Sequence, residues 1–180
     1  MKSSKVYSLL LTLAVAVGLA GCSTAPKAPD VAANVRAALT QAGLRDISAT
    51  QDRDKGVVTL TGHVPSDNDK LRAESVARSV AGQQVVANQI EVLPPGVESD
   101  AKKVNAALDK GIAANMDAAL IQYNLRDVKY TVKNHVVTLT GDADSQELRN
   151  KAETVASAVP NVQQVVNEIQ VRVQKATSTR

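Results

Sequence analysis

Residues 57–92 align with residues 136–171 at a constant offset of 79, without a gap and with 17 identities in 36 positions. A chain that repeats itself in this way folds as two copies of one unit. The anchor is Val-Val-Thr-Leu-Thr-Gly, at 57–62 and again at 136–141, while Ala73-Glu74, Val76 and Asn88-x-Ile90-x-Val92 recur as Ala152-Glu153, Val155 and Asn167-x-Ile169-x-Val171. Upstream, Leu44-Arg45-Asp46 recurs as Leu125-Arg126-Asp127, now at an offset of 81. Two residues must therefore be absorbed between the blocks. Hairpin tips tolerate such changes best, which points to Asp52–Gly56 in one copy and Lys133–His135 in the other.

Each copy reads as α-β-β-α-β. In the first, Val31, Val35, Leu39 and Ala42 recur at helical spacing after Asp30, and Gly43 stops the helix. Ile47–Gln51 and Val57–Val64, rich in β-branched residues and separated by a polar tip, read as a hairpin. Ser66 or Asp67 caps a second helix with Leu71, Ala73, Val76, Ala77 and Val80 inward, ending near Gly82, and Gln84–Val92 returns as a third strand. The second copy opens with a longer helix, Asp100 to about Tyr123, whose Val104, Leu108, Ile112, Met116, Leu120 and Tyr123 form one stripe. Strands near Val128–Val132 and Val136–Asp142, a helix from Ser145 to Val159 stopped by Pro160, and a strand Gln163–Val173 follow. The expected class is α+β: two tandem modules, residues 30–93 and 100–174, each a small three-stranded mixed sheet covered by two helices. A stiff Pro/Gly hinge, 94–99, joins them, and a polar tail, 175–180, ends the chain.

The N-terminal residues carry a different signal. Lys2 and Lys5 precede an apolar run from Val6 to Ala20, and Leu19-Ala20-Gly21-Cys22 follows the pattern of a lipobox. The run is shorter than the ~20 residues needed to cross a bilayer. Residues 1–21 therefore read as a lipoprotein signal peptide and 22–29 as a lipidated tether, with diacylglyceryl and N-acyl groups on Cys22. No other cofactor is implied. Several acyl chains hold a small protein durably where one does not. Ser23 after the cysteine resembles an outer-membrane sorting signal, so the expected site is the periplasmic leaflet of the outer membrane. Ser23 to Pro29 can extend at most about 25 Å, which keeps the first module close to the lipid surface.

The repeated residues carry a family resemblance. Tandem units with a Leu-Arg-Asp-(Ile/Val) entry, a Val-Val-Thr-Leu-Thr-Gly second strand and an Asn-x-Ile-x-Val last strand resemble the BON domain, and two of them behind a lipobox resemble the dual-BON lipoproteins. The resemblance implies a non-enzymatic protein that associates with phospholipid membranes and supports outer-membrane integrity and osmotic-stress tolerance. It also implies that lipid contact falls to the first helix of the second domain, here Asp100–Tyr123.

Other chemistries find little footing. Lys and Arg number 21 against 18 Asp and Glu, and without Lys2 and Lys5 the balance is 19 to 18. That leaves no broad basic face for nucleic acid. With no Phe or Trp and three Tyr there are no stacking platforms for single strands either. His63 and His135 are not equivalent in the repeat, their counterparts being Asp142 and Gly56, so no metal site is expected. No nucleophile elbow or phosphate loop occurs, and Gly62 and Gly141 read as backbone positions at strand ends. The candidate lipid-binding residues are Lys102, Lys103, Lys110, Met116, Leu120 and Tyr123, basic and apolar groups on one helix facing an anionic phospholipid membrane. The rival reading is a periplasmic adaptor or scaffold whose modules bind envelope proteins, docked by edge pairing at an exposed strand, or peptidoglycan, its lipid only a tether.

Overall fold

A computed structural model describes residues 26–172. The expected signal peptide, the expected lipobox with Cys22 and the expected polar tail lie outside the described residues. The first copy contains α1 (Ala32–Gln41), β1 (Ile47–Asp52), β2 (Val57–Val64), α2 (Asp67–Ala81), β3 (Val85–Asn88) and β4 (Glu91–Val92). The second contains α3 (Glu98–Gln122), β5 (Lys129–Lys133), β6 (Val136–Thr140), β7 (Asp142–Ala143), α4 (Gln146–Ser157), β8 (Gln164–Asn167) and β9 (Gln170–Val171). The expected α+β class and element order hold in both. In each copy the Val-Val-Thr-Leu-Thr strand lies in the middle, antiparallel to the strand before it and parallel to the one after α2 or α4.

The two-residue change of offset falls at the hairpin tips. Asp52 pairs with Val57 across a four-residue tip, whereas Lys133 pairs with Val136 across Asn134-His135 alone. Both residues of the short tip are left-handed, with φ of 48° and 67°, the geometry that a two-residue turn needs to match strand twist.

The third strand of each copy is broken rather than continuous, and the repeated asparagine is the cause. Asn88 accepts a hydrogen bond from Ile90 N, while its amide donates to the Lys70 carbonyl and the Glu74 carboxylate on α2 (3.1 and 3.0 Å). Asn167 repeats the set with Ile169 N, the Arg149 carbonyl and Glu153. A buried amide satisfied on three sides ties helix to strand and turns the chain. The Asn-x-Ile and Ala-Glu motifs are thus two halves of one bond set.

Each module has its own core. Val35, Leu39, Ile47, Val58, Leu60 and Ile90 centre the first, and Ile112, Met116, Leu120, Val137, Leu139 and Ile169 the second. Ser66 and Ser145 cap α2 and α4 through the N–H of Asp69 and Leu148. Leu71 departs from expectation: it is 63% exposed. Helix α2 buries Ala73, Ala77 and Ala81, and at 100° per residue Leu71 stands about 120° from the centre of that stripe. The hinge is also shorter than expected, because α3 already begins at Glu98, whose side chain accepts from Gly96 N (2.9 Å).

The modules dock through the helix-free faces of their sheets. Val57 and Ala87 from one copy meet Val136 and Val166 from the other. These are the same two positions shifted by 79, so the contact is isologous within a single chain. Around it, the Gln164 side chain accepts from Asn88 N and donates to the Val86 carbonyl, sealing the β3 edge. Lys55 at the first tip pairs with Glu168 (2.6 Å), and Asn134 at the second donates to the Gln89 carbonyl (2.8 Å). Gln89 and Glu168 are again repeat equivalents. The Glu168 carboxylate holds the Lys55 ammonium above its ordinary pKa, against the opposing effect of burial.

Candidate membrane-facing helix and interdomain cleft

Helix α3 is 25 residues long against 10 for α1. Its C-terminal half covers its own sheet, where Tyr130 donates to the Ala113 carbonyl and to Asp117. Burial and that carboxylate push the Tyr130 phenol up to about 12. Its N-terminal half runs past the first module instead, with Asn105 donating to Glu91 on β4 (3.3 Å).

Placing the candidate lipid-binding residues on this helix divides them. Met116 and Leu120 are 0% and 5% exposed, held in the second module's core, which withdraws them from a lipid-facing role in this fold. Tyr123 is 45% exposed, and its carbonyl accepts from Lys151. Lys103 and Lys110 are exposed and share a face, together with Ile121, which is 58% exposed. At 100° per residue these three lie within about 20° of one another. Lys103 also pairs with Asp100 at 3.0 Å. Lys102, though exposed, is turned about 100° from Lys103 and lines a shallow groove with His63, Glu91 and Lys133. The expected single stripe fails for a geometric reason. Each i,i+4 step drifts by about 40°, so a line from Val104 to Leu120 winds across nearly half the helix, leaving Val104 56% exposed.

The extension of α3 builds a second feature, a cleft of about 430 Å³ between the modules. Its apolar wall is Ile90 and Val92 on one side and Val97, Ala101 and Val104 on the other; its polar wall includes Asp67, Lys70, His135 and Gln163. The short hairpin is fixed beside it by Asp109, whose two carboxylate oxygens accept from Asn134 N and His135 N, both at 2.8 Å. His135 Nε2 is the buried side-chain polar atom without a hydrogen-bond partner among the described residues. Lys70 Nζ donates to Gln163 Oε1 (3.1 Å) and forms no ion pair among the described residues. Burial lowers its pKa. No three His, Cys, Asp or Glu gather into a metal-binding group among the described residues.

The repeat shows how this cleft arose. The equivalent of Lys70 is Arg149, whose guanidinium donates to the Asn167 and Ile169 carbonyls of its own module. Lysine, a point charge without the fork, leaves those carbonyls and reaches across to Gln163. The equivalent of His135 is Gly56. The non-equivalence of the histidines was legible in the sequence; that His135 and Lys70 share a wall was not, since they lie 65 positions apart.

Burial lowers the His135 pKa, with Lys70 reinforcing and Asp109 and Asp67 opposing. An imidazole whose folded pKa is depressed binds fewer protons folded than unfolded, so its contribution is complete above about pH 6.5 and is lost as pH falls. The expected result is a stability decrease from pH 7 to 5 that is flatter in His135→Asn, which keeps a residue tolerant of the left-handed turn. Urea titrations of both proteins measure it, and parallel curves would contradict it.

The BON domain family model matches residues 28–94 and 102–173, once for each module. The chain is 30% identical over 149 residues to Osmotically-inducible protein Y of Escherichia coli (strain K12), covering 79% of this chain and 71% of that protein. It is 29% identical over 128 residues to an uncharacterized protein of Anaplasma centrale, covering 69% and 82%. Among solved structures, the C-terminal domain of CdsD, a structural protein of the type III secretion system of Chlamydia trachomatis, aligns at 10% identity with a TM-score of 0.33. It covers 76% of this chain, which spans 62% of that one.

Proposed function

Because this chain belongs to the BON domain family, we propose that it is a non-enzymatic envelope lipoprotein, anchored through Cys22, that associates with phospholipid surfaces and supports outer-membrane integrity under osmotic stress. The observation that carries this reading is the outward face of α3, where Lys103, Lys110 and Ile121 stand exposed on one side of a long helix. Basic groups beside an apolar side chain meet anionic headgroups, each worth ~1 kcal/mol near such a surface. The induction recorded in the name of the Escherichia coli relative supports the osmotic part, and the short tether supports placement beside the membrane. No helix among the described residues is long and apolar enough to cross a membrane, so the acyl chains on Cys22 would hold the protein there.

The test is pelleting of the mature chain carrying Cys22→Ser with phosphatidylglycerol vesicles. Binding is expected at low salt, weakening as salt rises. Changing Lys103 and Lys110 to Glu together is expected to weaken it by more than about tenfold, since two cations contribute ~2 kcal/mol, while Lys102→Glu, off that face, is expected to weaken it less. Absence of binding by the parent chain would sink the lipid reading. The open edge of β5, paired on one side only, favours the adaptor reading instead if crosslinking in cells traps one stoichiometric envelope protein on Lys129–Lys133.

A further inference from the structure

Four observations converge on the interdomain cleft. It exists only when the modules are docked, since its walls come from both. Its apolar half includes side chains that the cores do not use: Val97 and Val104 are 52% and 56% exposed. Its polar half holds two nitrogen groups short of partners, the Lys70 ammonium with one neutral acceptor and His135 Nε2 with none among the described residues. Both stand where the copies diverge, Lys70 in place of an internally satisfied arginine and His135 in place of a glycine.

We propose that this cleft binds one molecule of an anionic amphiphile, its oxyacid head against Lys70 and His135 and its alkyl chain along Val92, Val97 and Val104. A half-buried cation with no ion pair among the described residues selects a negative oxygen. Of the carboxylates that act on Lys70, none lies within ion-pair distance among the described residues: Glu74 pairs with Arg78 and accepts from Asn88, and Asp109 accepts from Asn134 N and His135 N. Asp67 lies in the first turn of α2, where the helix dipole offsets its charge. The volume sits near the lower end of the range for small-molecule sites, which fits a single chain rather than a folded segment. The proposal does not rest on the membrane-surface reading: a bilayer meets the outward face of α3, whereas the cleft takes a monomer.

Carboxylate and phosphate heads share this chemistry, so the test uses both. The full mature chain with Cys22→Ser is titrated, followed by NMR, with decanoate, decyl phosphate and the neutral-headed octyl glucoside, each below its micelle concentration. Saturable shifts confined to Lys70, His135 and Val97–Val104 are expected for the anionic ligands. Preference between decanoate and decyl phosphate distinguishes a fatty acid from a phospholipid head. Lys70→Gln is expected to weaken binding roughly tenfold or more, as befits loss of a hydrogen bond to a charged group, and to leave phosphatidylglycerol vesicle pelleting unchanged. Val104→Asp, on an exposed position, serves as the second variant. Equal affinity of Lys70→Gln and parent, equal binding of the neutral amphiphile, or shifts scattered over Leu71 and Ile121 would each overturn the assignment. So would tighter binding of a peptide C-terminus than of decanoate, which would give the site to a protein partner.

Discussion

Gly62→Ala is expected to destabilise the first module severely, while the equivalent Gly141→Ala weakens the second only mildly. Both glycines close the repeated strand with positive φ, 122° and 114°, so both substitutions bring backbone strain of roughly 1–3 kcal/mol. They differ in space. A Cβ on Gly62 meets the Asp46 carbonyl oxygen at 2.2 Å, whereas one on Gly141 meets the Asp127 oxygen at 3.4 Å. A clash with backbone cannot be relieved by a rotamer change, and overpacking of this kind adds about 1–3 kcal/mol or more. The first module thus loses about 4 kcal/mol, a large part of what a domain of its size has. A Tm lowered by ~15 °C or more follows for that module. Calorimetry of the two variants measures it, and equal shifts would contradict the packing argument. The same geometry explains why two motifs travel together. In both copies the aspartate of Leu-Arg-Asp lays its carbonyl over the glycine of Val-Val-Thr-Leu-Thr-Gly, and in the first copy the approach is close enough to be open only to a residue without a side chain.

Val136→Asp and Val137→Asp, one residue apart, are expected to fail in different ways. Val136 is 1% exposed and belongs to the four-residue contact between modules, whereas Val137 is 0% exposed and belongs to the second core. Successive strand residues point to opposite faces. A buried unpaired carboxylate costs about 3–5 kcal/mol in either place. At 136 the protein can avoid that cost by separating the modules, which returns the charge to water and leaves both cores intact. At 137 it can avoid it only by unfolding the module. The expected outcome for Val136→Asp is native secondary structure by circular dichroism with two independently tumbling units by NMR relaxation; for Val137→Asp it is loss of the second module. Val136→Asp should also abolish amphiphile binding in the cleft, since both walls are then no longer together. A Val136→Asp protein that tumbles as one unit would refute this account of the interface.

These contrasts mark where sequence reading succeeds and where it stops. The repeat, the element order, the hairpin tips, the serine caps and the two glycines are legible because each is a local matter of spacing, propensity or turn chemistry. The adjacent valines of the anchor also held a signal that alternation did not use: two buried neighbours in one strand mean that both sheet faces are covered. Helix α3 was legible as a helix but not as a surface, because small angular drifts per turn accumulate over 25 residues and decide that Met116 is core and Ile121 is not.

What the sequence determined by itself is the unit and its number, two α-β-β-α-β modules, because a duplicated pattern of apolar residues can bury itself in only one way per copy. What only the tertiary structure decided is the relation between them: the isologous contact of Val57, Ala87, Val136 and Val166, the redirection of Lys70 to Gln163, and the cleft where it meets His135. The physical reason is distance along the chain. Docking joins residues some 45 to 115 positions apart through small patches and single hydrogen bonds, and no periodicity in the sequence records such a pairing.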